Sequence, residues 1–232
     1  MLKKFFGSST PDVPSAPVAR PARTSVADLT KKAAYSLQKS GLAGERAAVY
    51  LVLDRSGSMR KYYSDGTVQY LAERVLGLSR TLDDDGSVPV TFFSTDVDGT
   101  TVVSVDNYEG RIEEVHRGLD HMGRTNYATA IRAVMAHHRA SGATAPALVV
   151  FQTDGNPDDR AETLELMHQA VDQHMFWLFV SFGKKVDFLQ TLDHLGLPVD
   201  HIGLFRADDP HRIGDEDLYD GITSQFVQWL RA

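Results

Sequence analysis

The shorter apolar stretches of this chain predict β-strands. Residues 47–53 and 147–152 are almost continuous apolar runs rich in Val and Leu, a pattern typical of strands buried on both faces of a sheet. The pair Asp98-Gly99 is typical of a hairpin turn, so the strand after it is predicted to be an antiparallel edge strand. The other predicted strands cover residues 88–94, 100–105, 175–182 and 199–205.

Longer stretches repeat apolar residues at helical spacing. Leu29, Ala33 and Leu37 lie at i, i+4 and i+8, which predicts a helix over residues 26–39 that ends at Gly41. Because strands and helices alternate, the sequence predicts an α/β fold: a doubly wound, mainly parallel six-stranded sheet with helices on both faces. The other predicted helices cover residues 67–82, 108–119, 126–139, 158–174, 186–195 and 215–230.

Composition excludes several classes of function. The 232 residues include no cysteine, which rules out disulfides and thiolate metal sites and agrees with a reducing cytoplasm, where we expect the protein to be. The 24 basic and 31 acidic residues give a formal charge of −7, so there is no electrostatic basis for nucleic-acid binding. No apolar run approaches the roughly 20 residues that a membrane-spanning helix needs.

The first 24 residues differ from the rest of the chain. They hold Pro11, Pro14, Pro17 and Pro21, and their basic residues outnumber their single acid, Asp12. Such a composition cannot bury a hydrophobic core, so we predict a disordered arm over residues 1–24. We predict one domain over residues 25–232, with a leading helix over residues 25–41 and a core over residues 46–232.

Oxygen-bearing side chains follow the first predicted strand and recur at two later places. Asp54, Ser56 and Ser58 alternate along one short loop, Thr125 precedes a predicted helix, and Asp154 follows another buried strand. Loops after the central strands of a doubly wound sheet face each other, so we expect these five residues to converge. Two carboxylates and three hydroxyls suit Mg²⁺, with Mn²⁺ or Ca²⁺ as alternatives, and leave a coordination position open for a ligand.

The segments Asp54-x-Ser56-x-Ser58, Thr125 and Thr153-Asp154-Gly155, in this order, resemble the metal-ion-dependent adhesion site (MIDAS) of von Willebrand factor A (vWA) domains. All five site positions of that family are matched, and the resemblance covers about residues 25–232. Within the family the chain is most similar to bacterial TerF-type vWA proteins of tellurium-resistance and stress-response systems. The stretches that carry this similarity are residues 26–32, 53–59, 66–69, 83–86 and 215–220.

The resemblance implies a vWA fold and a protein–protein interaction module. In such a module, a partner offers an Asp or Glu side chain to the bound Mg²⁺. TerD-type proteins, which often accompany such domains, are candidate partners. Exposed Tyr and Arg side chains contribute strongly to binding energy, so residues around the metal loop are predicted to contact the partner. These residues are Arg55, Met59, Arg60, Tyr62 and Tyr63.

Two other functions stay open on the sequence alone. Haloacid-dehalogenase-type phosphatases also place an Asp after a buried strand and use Mg²⁺, but they need a second Asp two residues later as acid and base. This chain has Ser56 there, which cannot exchange a proton near neutral pH, so we expect no enzymatic activity. The second alternative is a scaffold in which the metal is purely structural.

Overall fold

The computed structural model describes residues 24–83, 85–196 and 200–232, and its central layer is a six-stranded sheet. The strand order is β3-β2-β1-β4-β5-β6, in which β3 is antiparallel and all other neighbours are parallel. The predicted mainly parallel sheet with one antiparallel edge strand is therefore confirmed. The strands are β1 (Ala48–Asp54), β2 (Val88–Phe93), β3 (Val97–Val103), β4 (Ala147–Thr153), β5 (Met175–Phe182) and β6 (Ile202–Ala207).

Helices cover both faces of this sheet. The leading helix ends as predicted at Gly41, which adopts the left-handed backbone conformation with φ 79°. Two 3₁₀ turns, Gly57–Met59 and Val171–Gln173, accompany the α-helices. The helices are α1 (Val26–Ser40), α2 (Arg60–Ser64), α3 (Thr67–Leu82), α4 (Arg111–Gly118), α5 (Tyr127–Ser141), α6 (Arg160–Ala170), α7 (Asp187–Asp193) and α8 (Asp215–Leu230).

The period-two geometry of β1 divides the hydrophobic core into two layers. Val49, Leu51 and Leu53 belong to the cluster that contains buried residues of α1, α3 and α8. Tyr50 and Val52 point to the other face and belong to the cluster with α5, α6 and α7. Since both faces of β1 are covered, its carboxyl end is held between two helix layers at the centre of the sheet.

The hairpin between β2 and β3 turns earlier than the sequence predicts. Its turn is at residues 94–96, where the Ser94 N–H donates to the Asp96 carbonyl over 2.8 Å, and Asp98-Gly99 lies inside β3. The Asp98 carboxylate instead accepts hydrogen bonds from Arg55 and Ser94. Gly99 is needed for close packing, because a Cβ there would lie 2.7 Å from Cδ2 of Leu119.

Some predicted segments fall partly or wholly outside the described residues. These are residues 1–23 of the predicted arm, residue 84 in the stretch over residues 83–86 that carries the TerF-type similarity, and residue 199 at the start of the last predicted strand. The short helix α2 was not predicted at all. None of the helices within the described ranges has the length and apolar character required to cross a membrane.

Candidate metal site

Asp54 is the last residue of β1, and its carboxylate is completely buried. Oδ1 accepts a hydrogen bond from the Ser56 backbone N–H over 2.6 Å, and Oδ2 accepts one from the Thr153 hydroxyl over 2.6 Å. The Asp54 carbonyl accepts from the Tyr63 hydroxyl over 3.0 Å. All these donors are neutral, so they fix the carboxylate in position without balancing its charge.

Three further predicted donors meet beside Asp54. The Ser58 hydroxyl donates to Oδ1 of Asp154 over 2.6 Å and lies 3.1 Å from the Ser56 hydroxyl. The register of the sheet explains this meeting: Leu53 of β1 is paired with Gln152 of β4, so the residues that follow both strands emerge side by side. The structure thus brings four of the five predicted metal ligands together.

Thr125, the fifth predicted ligand, lies on a loop that runs alongside the loop of Ser56. Ser56 and Gly123 form a parallel β-bridge, and the Gly57 N–H donates to the Gly123 carbonyl over 3.1 Å. The Thr125 carbonyl accepts from the Asp158 N–H over 2.8 Å. The backbone therefore positions Thr125 next to the site, while its hydroxyl forms no hydrogen bond with any other described residue.

The loop that carries Thr125 can approach only because position 123 is glycine. A Cβ at Gly123 would lie 2.6 Å from the hydroxyl oxygens of both Ser94 and Thr95. These contacts bring the loop onto the β2–β3 hairpin, where the Asn126 N–H also donates to the Ser94 carbonyl over 2.9 Å.

The electrostatics of the site favour a cation. Burial raises the pKa of Asp54 to about 6, hydrogen bonds from Thr153 and Ser56 oppose this rise, and the charge of Asp154 adds to it. Within the described part of the chain, neither Asp54 nor Asp154 forms an ion pair. The adjacent guanidinium of Arg55 is instead paired with Asp98, over 2.6 Å.

Buried carboxylates are normally paired with a cation or coordinate a metal, because leaving their charge uncompensated costs several kcal/mol. The residues present therefore fit a divalent ion with oxygen ligands. Residues 24–83, 85–196 and 200–232 contain no group of three or more His, Cys, Asp or Glu side chains arranged for a metal. Any metal bound here would thus depend on hydroxyl oxygens in addition to the two carboxylates.

Two residues that support the site were not assigned this role from the sequence. Thr153 belongs to the quoted motif, and its hydroxyl connects Asp54 to the buried hydroxyl of Tyr127, which lies 3.1 Å away. Asp159 lies in the first turn of the helix predicted over residues 158–174. Its carboxylate nevertheless accepts hydrogen bonds from the first two N–H groups of α5, those of Tyr127 at 3.1 Å and Ala128 at 2.7 Å. Asp159 therefore connects the loop after Asp154 to the helix that follows Thr125.

Four of the five residues predicted to contact a partner are buried, so their predicted exposure was wrong. For Tyr62 and Tyr63 the cause is the unpredicted helix α2, which turns these side chains inward: the Tyr63 ring stacks on His116, and the Tyr62 ring packs against Phe182. Arg60 alone of the five is exposed. The exposed fractions of the buried four are 1% for Arg55, 0% for Met59, 3% for Tyr62 and 6% for Tyr63.

Comparison with known proteins identifies the family. A family model described as the vWA domain found in the TerF C terminus matches residues 46–232. The chain belongs to the vWA-TerF-like family. An uncharacterized protein of Bacillus subtilis (strain 168), YcbR, is 31% identical over 211 residues, which are 88% of this chain and 86% of that protein.

Solved structures of several other proteins share the fold at low sequence identity. A von Willebrand factor type A protein from Catenulispora acidiphila has a TM-score of 0.53 at 14% identity, over 78% of this chain and 42% of that one. Proximal thread matrix protein 1 from the mussel byssus, with a zinc-occupied MIDAS motif, has a TM-score of 0.52 at 14% identity, over 79% of this chain and 48% of that one. The vWA-TerF-like chain thus spans less than half the length of either protein.

A third structure, the manganese-loaded TRAP protein of Plasmodium vivax, has a TM-score of 0.51 at 18% identity, over 76% of this chain and 74% of that one. At these identities the similarity shows the fold alone. The predicted vWA fold is thereby confirmed.

Proposed function

We propose that this vWA-TerF-like chain binds a protein partner through a divalent metal ion. Asp54, Ser56, Ser58, Thr125 and Asp154 would hold the ion, some of them through water. The observation that carries the proposal is the pair of buried carboxylates, which meet beside two hydroxyls and form no ion pair with any described residue. When bound, the ion supplies the positive charge that this pocket lacks and an open position for a partner's Asp or Glu.

Mg²⁺ is the ion that we propose, since the donor set consists only of oxygens and such sets suit hard cations. Zinc in the mussel protein and manganese in the Plasmodium vivax protein support a divalent ion on this fold, and Mn²⁺ or Ca²⁺ are alternatives. Ser56 and Ser58 add oxygen donors without adding charge, which keeps a bound ion attractive to a further carboxylate.

The proposal also places the protein in a cellular setting. The family description names TerF, and on this basis we propose a role in a bacterial tellurium-resistance or stress-response system in the cytoplasm, with TerD-type proteins as candidate partners. We propose a binding module and not an enzyme, because Ser56 stands where a metal-dependent phosphatase of the haloacid-dehalogenase type needs its acid and base.

Calorimetric titration of the chelator-treated protein with Mg²⁺ tests the metal site. We expect one binding site, and we expect Asp54→Ala to abolish it because the buried anchor carboxylate is lost. Asp187→Ala is the matched control, since Asp187 is an exposed carboxylate at the start of α7 and should leave Mg²⁺ binding unchanged. Normal Mg²⁺ binding by Asp54→Ala would falsify the proposed site.

A pull-down from the native cell, with and without chelator, separates a partner-binding metal from a structural one. We expect a protein to be retained by the wild type in Mg²⁺ and lost with chelator or in Asp154→Ala. If Mg²⁺ raises the melting temperature but no protein is retained in a metal-dependent way, the metal is structural. Hydrolysis of a generic phosphate ester that requires both Mg²⁺ and Asp54 would instead support the phosphohydrolase alternative.

A further inference from the structure

A cavity of about 400 Å³ is lined by residues that are close in sequence to the proposed metal ligands, among them Arg55 and Met122. One wall of the cavity is formed by α2, which comes shortly after Ser58 in the sequence. The other wall includes residues 119–122, which directly precede the loop of Gly123 and Thr125. A ligand in this cavity therefore contacts the same two segments that carry four of the five proposed metal ligands. We call it the α2–α4 cavity; it is lined by Arg55, Arg60, Tyr63, Ser64, Glu113, His116, Arg117, Leu119, Asp120, His121 and Met122.

Arg55 is the buried charged group of the α2–α4 cavity, and each of its three guanidinium nitrogens donates a hydrogen bond. Its Nε donates to Nδ1 of His116 over 3.1 Å, one terminal nitrogen donates to Asp98 over 2.6 Å, and the other donates to the Asp120 carbonyl over 2.6 Å. Arg55 is buried and paired with Asp98, so it forms part of the cavity wall and its charge is not available to a ligand.

His116 offers a neutral hydrogen-bond donor to this cavity. Its Nδ1 accepts from Arg55, so the ring proton of the neutral imidazole lies on Nε2. Burial lowers the pKa of His116, and the positive charges of Arg55 and Arg60 lower it further. The ring is held flat against Tyr63, with centroids 4.1 Å apart and planes at 15°.

Arg60 supplies the uncompensated positive charge. It is exposed, and it forms no ion pair or hydrogen bond with any residue that the structure describes. The neighbouring Arg117 is different, because Glu113 lies 4.0 Å from its Nε. The α2–α4 cavity therefore presents one free guanidinium beside one neutral imidazole N–H.

This combination matches a single carboxylate better than a more highly charged group. Glu113 and Asp120 also line the cavity, and they would repel a phosphate dianion about twice as strongly as a single carboxylate, since the interaction energy scales with the charge of the ligand. Leu119 and Met122 add a half-buried apolar wall that suits the methylene groups of an acidic side chain. The chain's own first 23 residues are unsuitable, because Lys3, Lys4, Arg20 and Arg23 outnumber Asp12.

We infer that the α2–α4 cavity receives a second acidic side chain of the partner segment whose first acidic side chain binds the metal. The inference rests on the proposed function and narrows it, because the partner must then present at least two nearby Asp or Glu residues. The cavity has the volume of pockets that enclose small ligands, so it has room for a side chain together with adjoining backbone.

Two synthetic peptides test the inference on the full chain in excess Mg²⁺. One is acetyl-tetraglutamate amide, and the other has the same length with one Glu and three Gly. Tetraglutamate has four acidic side chains and the control has one, so the number of acids alone would raise the affinity about fourfold. Because two linked contacts raise the affinity further, we expect tetraglutamate to bind about tenfold or more tightly than the single-Glu peptide. In ¹⁵N-labelled protein, tetraglutamate should shift the side-chain resonances of Arg60 and His116, whereas the single-Glu peptide should not.

Arg60→Gln should abolish the affinity difference between the two peptides, and the matched variant Arg80→Gln should preserve it. Arg80 is also exposed, but it lies near the end of α3 that is remote from the metal loop. Because both side chains are exposed, neither variant is expected to disturb folding, and Mg²⁺ titration of each reports on the metal loop separately.

The outcomes separate this inference from the proposed function. If both peptides bind with equal affinity, their binding requires Mg²⁺ and Arg60→Gln does not change it, the cavity inference is wrong while the proposed function stands. If tetraglutamate binds without Mg²⁺ and shifts Arg60 and His116, the cavity accepts acidic side chains but the contact through the metal is absent, so the metal-dependent function and the inference that rests on it are both wrong. Binding of Mg²⁺ with no binding of either peptide would overturn both.

Discussion

At the scale of single residues, Asp54 combines burial with an uncompensated charge. Its neighbours fix its two oxygens with neutral donors, and the one adjacent guanidinium, Arg55, is directed to Asp98. Such an arrangement is unfavourable for the folded protein without a cation and favourable with one. Stability should therefore depend on both pH and metal at this position.

The first prediction concerns Asp54→Asn in metal-free protein. Burial raises the folded-state pKa of Asp54 to about 6, above its unfolded value, so this carboxyl costs stability as pH rises through the folded pKa. At about pH 8 the variant should be more stable by about 3 kcal/mol, and below about pH 3 the difference should vanish because Asp54 is then protonated in both the folded and the unfolded state. Urea denaturation of both proteins in the presence of chelator, repeated across this pH range, measures the difference in the free energy of unfolding.

Mg²⁺ provides the control for this prediction. Excess Mg²⁺ should stabilise the wild type and leave Asp54→Asn almost unaffected, because only the folded wild type binds the ion. A stability difference that is the same at every pH would contradict the assignment of the effect to ionisation of Asp54.

At the scale of elements, the site depends on loops that are fastened to one another by side chains. Asp159, from the loop after β4, accepts two hydrogen bonds from the amino end of α5. The Asp158 N–H in the same loop donates to the Thr125 carbonyl. The loops that carry Asp154 and Thr125 are therefore held as one unit.

Asp159→Ala removes the side-chain cap of α5 and should lower the free energy of unfolding by about 1 kcal/mol or more. Asp158→Ala is the matched control, since its carboxylate forms only an exposed ion pair with Arg124, which is worth less than about 1 kcal/mol. Chemical denaturation of both variants decides the point. Equal losses of unfolding free energy in Asp159→Ala and Asp158→Ala would contradict a stabilising role of the Asp159 cap.

At the scale of the whole molecule, the first and last of the described helices pack against each other. The first and last helices, α1 and α8, both pack with α3 over the same face of the sheet. Asp215 of α8 is paired with Lys32 of α1 at 2.6 Å and with Arg74 of α3 at 2.9 Å. This three-helix contact depends on a close approach at Gly77.

Gly77→Ala should destabilise the protein although Ala favours helices by about 1 kcal/mol over Gly. A Cβ at position 77 would lie 2.7 Å from the Tyr219 hydroxyl and 2.9 Å from Cβ of Leu29, so α1, α3 and α8 would be forced apart. We expect a net loss of about 1 to 2 kcal/mol, measured as a lower melting temperature. Gly118→Ala in α4 has open space around its Cβ and should cause no loss; a loss of the same size there would contradict the steric explanation.

The candidate site could be predicted from the sequence to the extent that it depends on local order. The run that forms β1 and the oxygen-bearing residues after it predict both a buried strand and a candidate metal loop, since strand burial and donor spacing are local properties. The sheet could be predicted for the same reason, because alternating strands and helices allow few topologies.

Contacts between distant segments were decided only by the tertiary structure. The chemistry of Tyr62 and Tyr63 suits a partner surface as well as a core, and only the packing of α2 against Phe182 and His116 buries them. Asp159 precedes one helix in sequence and caps another in space. The sequence by itself therefore determined the fold class and the donor set, whereas burial, capping partners and the α2–α4 cavity follow from long-range packing that no local pattern encodes.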